Sequence, residues 1–188
     1  KKWTLLYTEI SKLGEGGNAD VYLVEDSRSG KRYALKELRS SNRSEEKKSR
    51  FVSEIQIARD NCTIIPGIIP VIDYSMEDYW YTMPIAQQIM GCVNGMSLDE
   101  IINGVLQLCE TLGRLHEKGI HHRDIKPSNI YYYDGRFSFG DFGLVDFPDN
   151  DDFTKSDRGV GAIFTIAPEM KRNPKLADAS KADVFSLA

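Results

Sequence analysis

The sequence predicts an α+β chain in two parts, strand-rich at its amino end and helix-led at its carboxyl end. Three observations carry this reading. Within residues 1–39, the runs Asp20-Val21-Tyr22-Leu23-Val24-Glu25 and Arg32-Tyr33-Ala34-Leu35-Lys36-Glu37-Leu38 have strand character and flank the turn Asp26-Ser27-Arg28-Ser29-Gly30. Ser97-Leu98-Asp99-Glu100 has the Ser-x-x-Glu pattern of a capping box, in which each end satisfies an orphan N–H of the first helical turn. Behind it Leu98, Ile101, Ile102, Val105, Leu108, Leu112 and Leu115 mark one apolar face of a long helix ending near Gly119. The character of the chain changes between Pro84 and Gly95.

The remaining elements follow in order. Ser40 to Ser49, rich in Ser and charge, reads as a flexible connection. Phe51, Ile55 and Ala58 then recur at helical spacing, with Val52 and Ile57 widening the apolar face. Two candidate strands, Ile68 to Tyr74 and Tyr79 to Ile85, flank the polar turn Ser75-Met76-Glu77-Asp78. Short strands and loops follow Gly119, and helical pattern resumes only after Pro168. No internal repeat or low-complexity segment interrupts the chain.

Composition narrows the function classes. A chain of 188 residues can bury one substantial core or two small ones, and 41% apolar with 28% charged residues is ordinary for a globular protein. A formal charge of −4 offers no electrostatic case for nucleic acid or an anionic membrane. Lys47-Lys48-Ser49-Arg50 is basic, but Glu45 and Glu46 adjoin it, which fits a solvated helix face. Cys62, Cys92 and Cys109 are odd in number and lack metal-ligand spacing, so reduced thiols and an intracellular, cytoplasmic location are expected. No run approaches the ~18 apolar residues of a membrane span. The chain has no initiator Met and stops inside the apolar run Val184-Phe185-Ser186-Leu187-Ala188, which reads as a fragment of a longer protein. Val184, Phe185 and Leu187 are then expected to be exposed, and membrane tethering through other parts of a parent stays open.

The chemistry concentrates in His122-Arg123-Asp124-Ile125-Lys126-Pro127-Ser128-Asn129 and Gly140-Asp141-Phe142-Gly143. One carboxylate can take the proton of an attacking hydroxyl and a lysine can neutralise a phosphate. A carboxamide and a second carboxylate supply the oxygen ligands that Mg²⁺ prefers. Each residue alone has a bland explanation: a surface ion pair, a turn Asn, a loop between strands. Order and spacing do not, because Asn129 follows Asp124 by five residues, Asp141 follows by twelve more, and Ala167-Pro168-Glu169 closes the region. This conjunction resembles the catalytic loop, Asp-Phe-Gly and Ala-Pro-Glu motifs of protein kinases. Leu115-His116 with Gly119-Ile120 before the loop, and Asp183-Val184-Phe185-Ser186-Leu187 after it, match that family's flanks.

The amino half carries a matching nucleotide signature. Leu13-Gly14-Glu15-Gly16-Gly17-Asn18-Ala19-Asp20-Val21 lets backbone N–H groups approach phosphates, although alone it could be a plain hairpin turn. It resembles the kinase Gly-rich loop at Gly14, Gly16 and Val21, with Ala19 in place of the third glycine. Ala34-Leu35-Lys36 is similar to the family's Val-Ala-Ile-Lys strand. A buried ammonium needs a partner charge, for which Glu54 is well placed, with Glu46 as the alternative. Trp80-Tyr81-Thr82-Met83-Pro84-Ile85-Ala86 resembles the strand leading into the kinase hinge, an ordinary core strand being the rival reading.

The resemblance implies a two-lobed protein-kinase-like fold over 1–188. The amino lobe would be about 1–83, the hinge about 84–95, and an incomplete, mainly α-helical carboxyl lobe about 96–188. It implies transfer of the ATP γ-phosphate to Ser or Thr hydroxyls of a protein substrate, with ATP and Mg²⁺ as cofactors. Asp124, Lys126 and Lys36 would be catalytic, and Asn129 and Asp141 would hold the metal. Leu13, Gly14, Glu15, Gly16, Gly17, Val21, Ala34, Lys36, Glu54, Met83 and Ala86 would bind the nucleotide. His122 and Phe142 are expected to pack, His116 to be a core histidine, and His121 to have no assigned role. Two departures stand out: Gly161-Ala162 where the family usually has Gly-Thr, and Thr165 where a tyrosine is common. Glu169 lacks an evident partner. Arg123 is expected to seek an anion in the 141–169 segment, a phosphate on Ser156 or Thr154 or one of Asp149, Asp151, Asp152 and Asp157. The rivals are a pseudokinase scaffold, opposed by the presence of Lys36, Asp124 and Asp141, and a small-molecule kinase, opposed by Lys126, Arg123 and Ala-Pro-Glu.

Overall fold

Turn chemistry sets where the strands end. In the computed structural model, which describes residues 2–16, 18–145, 165–173 and 176–188, the Asp26 carboxylate accepts from the Arg28 amide at 2.8 Å and Gly30 turns the chain at φ 68°. That reversal joins β2 (Ala19–Asp26) to β3 (Arg32–Leu38). With β1 (Tyr7–Glu15), β4 (Asp73–Ser75) and β5 (Trp80–Met83) they form an antiparallel sheet in the order β1-β2-β3-β5-β4. The strand expected over Ile68 to Tyr74 shrinks to its last residues, because Pro70 inside it cannot donate to a ladder. The one expected from Tyr79 starts a residue later, after Tyr79 in the left-handed region (φ 59°), and stops before Pro84.

The helix expected from Phe51 is longer. α1 (Glu45–Asn61) begins inside the segment read as flexible, with the Ser44 hydroxyl accepting from the Lys47 amide and Glu45 and Glu46 in its acidic first turn. Each face of the sheet buries a cluster. Trp3, Tyr7, Tyr22, Val24, Leu35 and Trp80 pack on one side. Phe51 and Ile55 of α1 pack with Ala19, Leu38 and Tyr81 on the other. These elements make one compact unit, residues 1–63 with 69–85, and residues 64–68 with 86–188 make a second.

The second unit is built on α2 (Leu98–Glu117), which has the expected capping box: Glu100 accepts from the Ser97 amide at 2.7 Å. A small sheet of β6 (Gln87–Gln88), β7 (Ile130–Tyr133) and β8 (Arg136–Phe139) accompanies it, and α3 (Pro168–Arg172) and α4 (Ala179–Leu187) follow. The apolar face of α2 is only partly buried. Leu108, Leu112 and Leu115 are inside, but Leu98, Ile102 and Val105 are 71%, 48% and 42% exposed, and Gly104 and Thr111 take buried positions instead. Small size decides this: Gly104 faces the Phe137 ring so closely that a Cβ there would lie 2.4 Å from it. Gly104→Ala is therefore expected to destabilise the protein by ~1–3 kcal/mol despite alanine's better helix propensity, read from the denaturant midpoint. Adding Phe137→Leu should recover part of that loss.

Val184 and Phe185 are exposed, as expected, whereas Leu187 on the next turn of α4 is half-buried, and the three cysteines are free. Among the described residues no helix is long and apolar enough to cross a membrane.

Candidate active site

Strand register collects the first group of residues. Gly14 pairs with Val21, Val21 with Lys36, and Lys36 with Tyr81, while Ala34 pairs with Met83. Side chains directly opposed across antiparallel strands share a face, and so do residues two apart on one strand. Val21, Ala34, Lys36, Tyr81 and Met83 therefore lie on the sheet face that α1 packs against. There Lys36 Nζ is 2.6 Å from Glu54 Oε1, with the two side chains only 12% and 4% exposed. The Tyr81 hydroxyl donates to the same carboxylate at 2.8 Å. Glu46 instead pairs with Arg50 at 2.6 Å on the outer side of α1, so the alternative partner is not used.

The Gly-rich turn is braced at its base by charge. Lys12 lies 3.0 Å from both Glu15 and Asp20, and Arg39 lies 2.7 Å from Glu15 and 2.9 Å from Asp20. The Arg39 bond, with Lys12 beside it, holds the Asp20 carboxyl below its ordinary range against the opposing effect of desolvation. A Cβ on Gly14 would meet nothing within 4 Å, and Gly14 has no positive φ, so internal packing does not demand glycine there. Leu13 is exposed, Met83 and Ala86 are half-buried, and Gly17 lies outside the described residues.

In the second unit a hairpin brings the other group together. Asp134 and Gly135, at φ 48° and 76°, turn β7 into β8 as Asp-Gly turns do. Ile130 consequently pairs with Phe139, and the Gly140 amide donates to the Asn129 carbonyl at 3.0 Å. Asn129 and Asp141 thus sit at the open end of one hairpin, although twelve residues separate them. Asp141 sits at φ 61°, in the left-handed region that aspartate enters more readily than most non-glycine residues. Asn129 is buried and donates from Nδ2 to both the main-chain carbonyl and Oδ2 of Asp124 at 2.9 Å. Lys126 Nζ also reaches Asp124 Oδ2, at 2.7 Å. Both neighbours therefore hold one carboxylate oxygen. Among the described residues Oδ1 has no hydrogen-bond partner.

His122 is fully buried and packs against the Phe142 and Phe139 rings at 4.9 and 5.3 Å, as expected for a packing group. Its Nδ1 accepts from the Asp124 amide at 3.4 Å and its Nε2 faces the Gly140 carbonyl at 3.3 Å, so the ring carries its proton on Nε2.

Three residues outside the sequence-derived set hold these groups in place. The Asp183 carboxylate, 1% exposed, accepts from the His122 and Arg123 amides, each at 2.7 Å. It is also 3.0 Å from His116 Nε2, so His116 is a partner of that anchor and not merely core filling. The sequence signal was an aspartate set directly before the apolar pair Val184-Phe185. Tyr81 reads as a core aromatic, and nothing local announces its bond to Glu54. Thr165 donates to the Ile125 carbonyl at 2.7 Å. Ser156, Thr154, the Asp149 to Asp157 carboxylates and Gly161-Ala162 lie outside the described residues.

The sheet unit thus presents a paired Lys36, and the helical unit carries Asp124, Lys126, Asn129 and Asp141 on a loop and hairpin. The sequence model of the protein kinase domain matches residues 7–188. The serine/threonine-protein kinase PknD of Chlamydia trachomatis serovar L2b is 32% identical over 193 residues, covering 88% of this chain and 18% of that protein. The serine/threonine-protein kinase PrkC of Bacillus subtilis is 30% identical over 195 residues, covering 96% of this chain and 29% of that protein. The chain belongs to the protein kinase family, with a β-sheet amino lobe and a helical carboxyl lobe. It spans less than a third of the length of either relative.

Proposed function

We propose that this domain transfers the γ-phosphate of ATP to Ser or Thr hydroxyls of a protein substrate. The observation that carries the reading is the Asp124 carboxylate, with Oδ2 held by Lys126 and Asn129 and Oδ1 left open. Oδ1 would orient the attacking hydroxyl and accept its proton, while Lys126 would neutralise the transferred phosphate. Lys36, aimed by Glu54, would bind the α/β-phosphates. Gly14 and Gly16 would let backbone amides approach the phosphates, which fits the open space around Gly14. Asn129 uses its amide nitrogen toward Asp124, so its Oδ1 is free to join Asp141 in holding Mg²⁺. Two protein oxygens suit a cation that keeps waters and substrate phosphates as its other ligands. The bound metal would neutralise developing phosphate charge; positioning is the work of the chain itself.

The relatives' designation as serine/threonine kinases and Lys126 both support Ser/Thr acceptors. We read residues 84–95 as the connection between an amino lobe of about 1–83 and the carboxyl lobe, and a cytoplasmic setting suits the free thiols.

The test is ATP–Mg²⁺ turnover on a generic substrate such as casein by the protein carrying this domain, followed by phosphoamino-acid analysis. Phosphoserine or phosphothreonine is expected, and Asp124→Asn should lower kcat by about 10²–10⁴. Nucleotide binding without transfer would favour a scaffold module, and phosphotyrosine would overturn the acceptor assignment.

A further inference from the structure

We propose that Thr165 is a positioning residue for phosphoryl transfer, acting through the Ile125 carbonyl to aim Lys126 at Asp124. The inference rests on the kinase reading and adds to it a residue forty positions downstream of the loop.

The loop from His122 to Asn129 is held from distant elements at two points. At its entry, Asp183 of α4 binds the His122 and Arg123 amides. At its middle the Thr165 hydroxyl donates to the Ile125 carbonyl at 2.7 Å. That carbonyl belongs to the peptide joining Ile125 to Lys126. Fixing its direction fixes ψ of Ile125 and φ of Lys126, the two dihedrals that decide where the Lys126 side chain leaves the backbone. Lys126 is extended at φ −161° and ψ 159°, and its ammonium lies 2.7 Å from Asp124 Oδ2. Rotating this peptide plane would carry the ammonium away from the carboxylate.

The anchor is itself firm. Ile125 is 1% exposed, and the residues after Thr165 are buried at 8% for Ile166 and 0% for Ala167, where they pack with Met170 and Ala182. Thr165 thus ties the catalytic loop to the start of α3. At position 162 the sequence has alanine, which has no hydroxyl to offer such a tie.

Thr165→Val removes the hydroxyl and keeps the shape, while Thr165→Ser keeps the hydroxyl. In the protein carrying this domain, Thr165→Val is expected to lower kcat roughly ten- to a hundredfold, the scale of a small misplacement of reacting groups. The KM for ATP should stay within about twofold, and Thr165→Ser should restore most of kcat. Amide hydrogen exchange gives a readout independent of activity. In Thr165→Val the Asn129 amide, bonded to the Lys126 carbonyl at 2.9 Å, should exchange faster, while the His122 and Arg123 amides held by Asp183 keep their rates. Unchanged kcat with unchanged exchange would overturn the proposal, as would a uniform rise in exchange across the domain, which would mark a plain fold contact. If the wild-type protein transfers no phosphate, the kinase reading fails by itself. Selective exchange at Asn129 would then still support the loop clamp, and its absence would refute it.

Discussion

Replacing Lys36 with methionine is expected to lower turnover by two to three orders of magnitude, the scale of removing one preorganised charge from a transition state. It should also cost stability, because Glu54 is buried and its lysine partner is largely shielded, with side chains 4% and 12% exposed. Deleting one member of a buried ion pair costs about 3–5 kcal/mol, since the carboxylate remains in a medium that solvates it poorly. Tyr81 still donates to Glu54 and should hold the loss near the lower figure. The double variant Lys36→Met/Glu54→Gln separates the two effects. It should regain most of the stability, measured from urea midpoints, and none of the rate. A Lys36→Met protein with wild-type turnover would remove Lys36 from the chemistry.

Asp183→Ala is expected to be the most damaging change in the carboxyl lobe. It leaves two buried amides without the acceptor they share, at about 1–3 kcal/mol each. Denaturant unfolding should show a loss of several kcal/mol, and exchange should accelerate at His122 and Arg123 first. Arg123 already sits at φ 63°, a backbone conformation that only its surroundings maintain, so release of its amide should let the loop relax. Turnover should fall with it, although Asp183 touches no reacting atom. Asp183→Asn should be milder but not neutral, because its amide group turns one acceptor into a donor facing an N–H. His116→Phe, which removes only one of the three contacts to Asp183, should cost less than either. Equal effects of Asp183→Ala and His116→Phe would show that the amide bonds are not what matters.

The linear order of residues determined the α+β class, the two parts and the capping box at Ser97, and it named the candidate chemical set from Lys36 to Asp141. Such features are local: a turn needs its Gly or Asp, a cap its Ser and Glu, and a loop its Asp, Lys and Asn at set spacing. Ser44 before Glu45-Glu46 was also a local signal, yet the charge around it reads as loop, because propensity alone does not tell a solvated helix face from a connection. The choice between Glu54 and Glu46 as partner of Lys36 had to await tertiary structure, since it depends on which side of α1 meets the sheet. So did the half-open face of α2, where Gly104 is required by the Phe137 ring lying against it, a fit no periodicity can register. The bonds of Asp183 to the loop amides and of Thr165 to Ile125 join residues 60 and 40 positions apart. They arise because buried N–H and C=O groups must find partners, and only the folded chain decides which side chain is near enough to supply them.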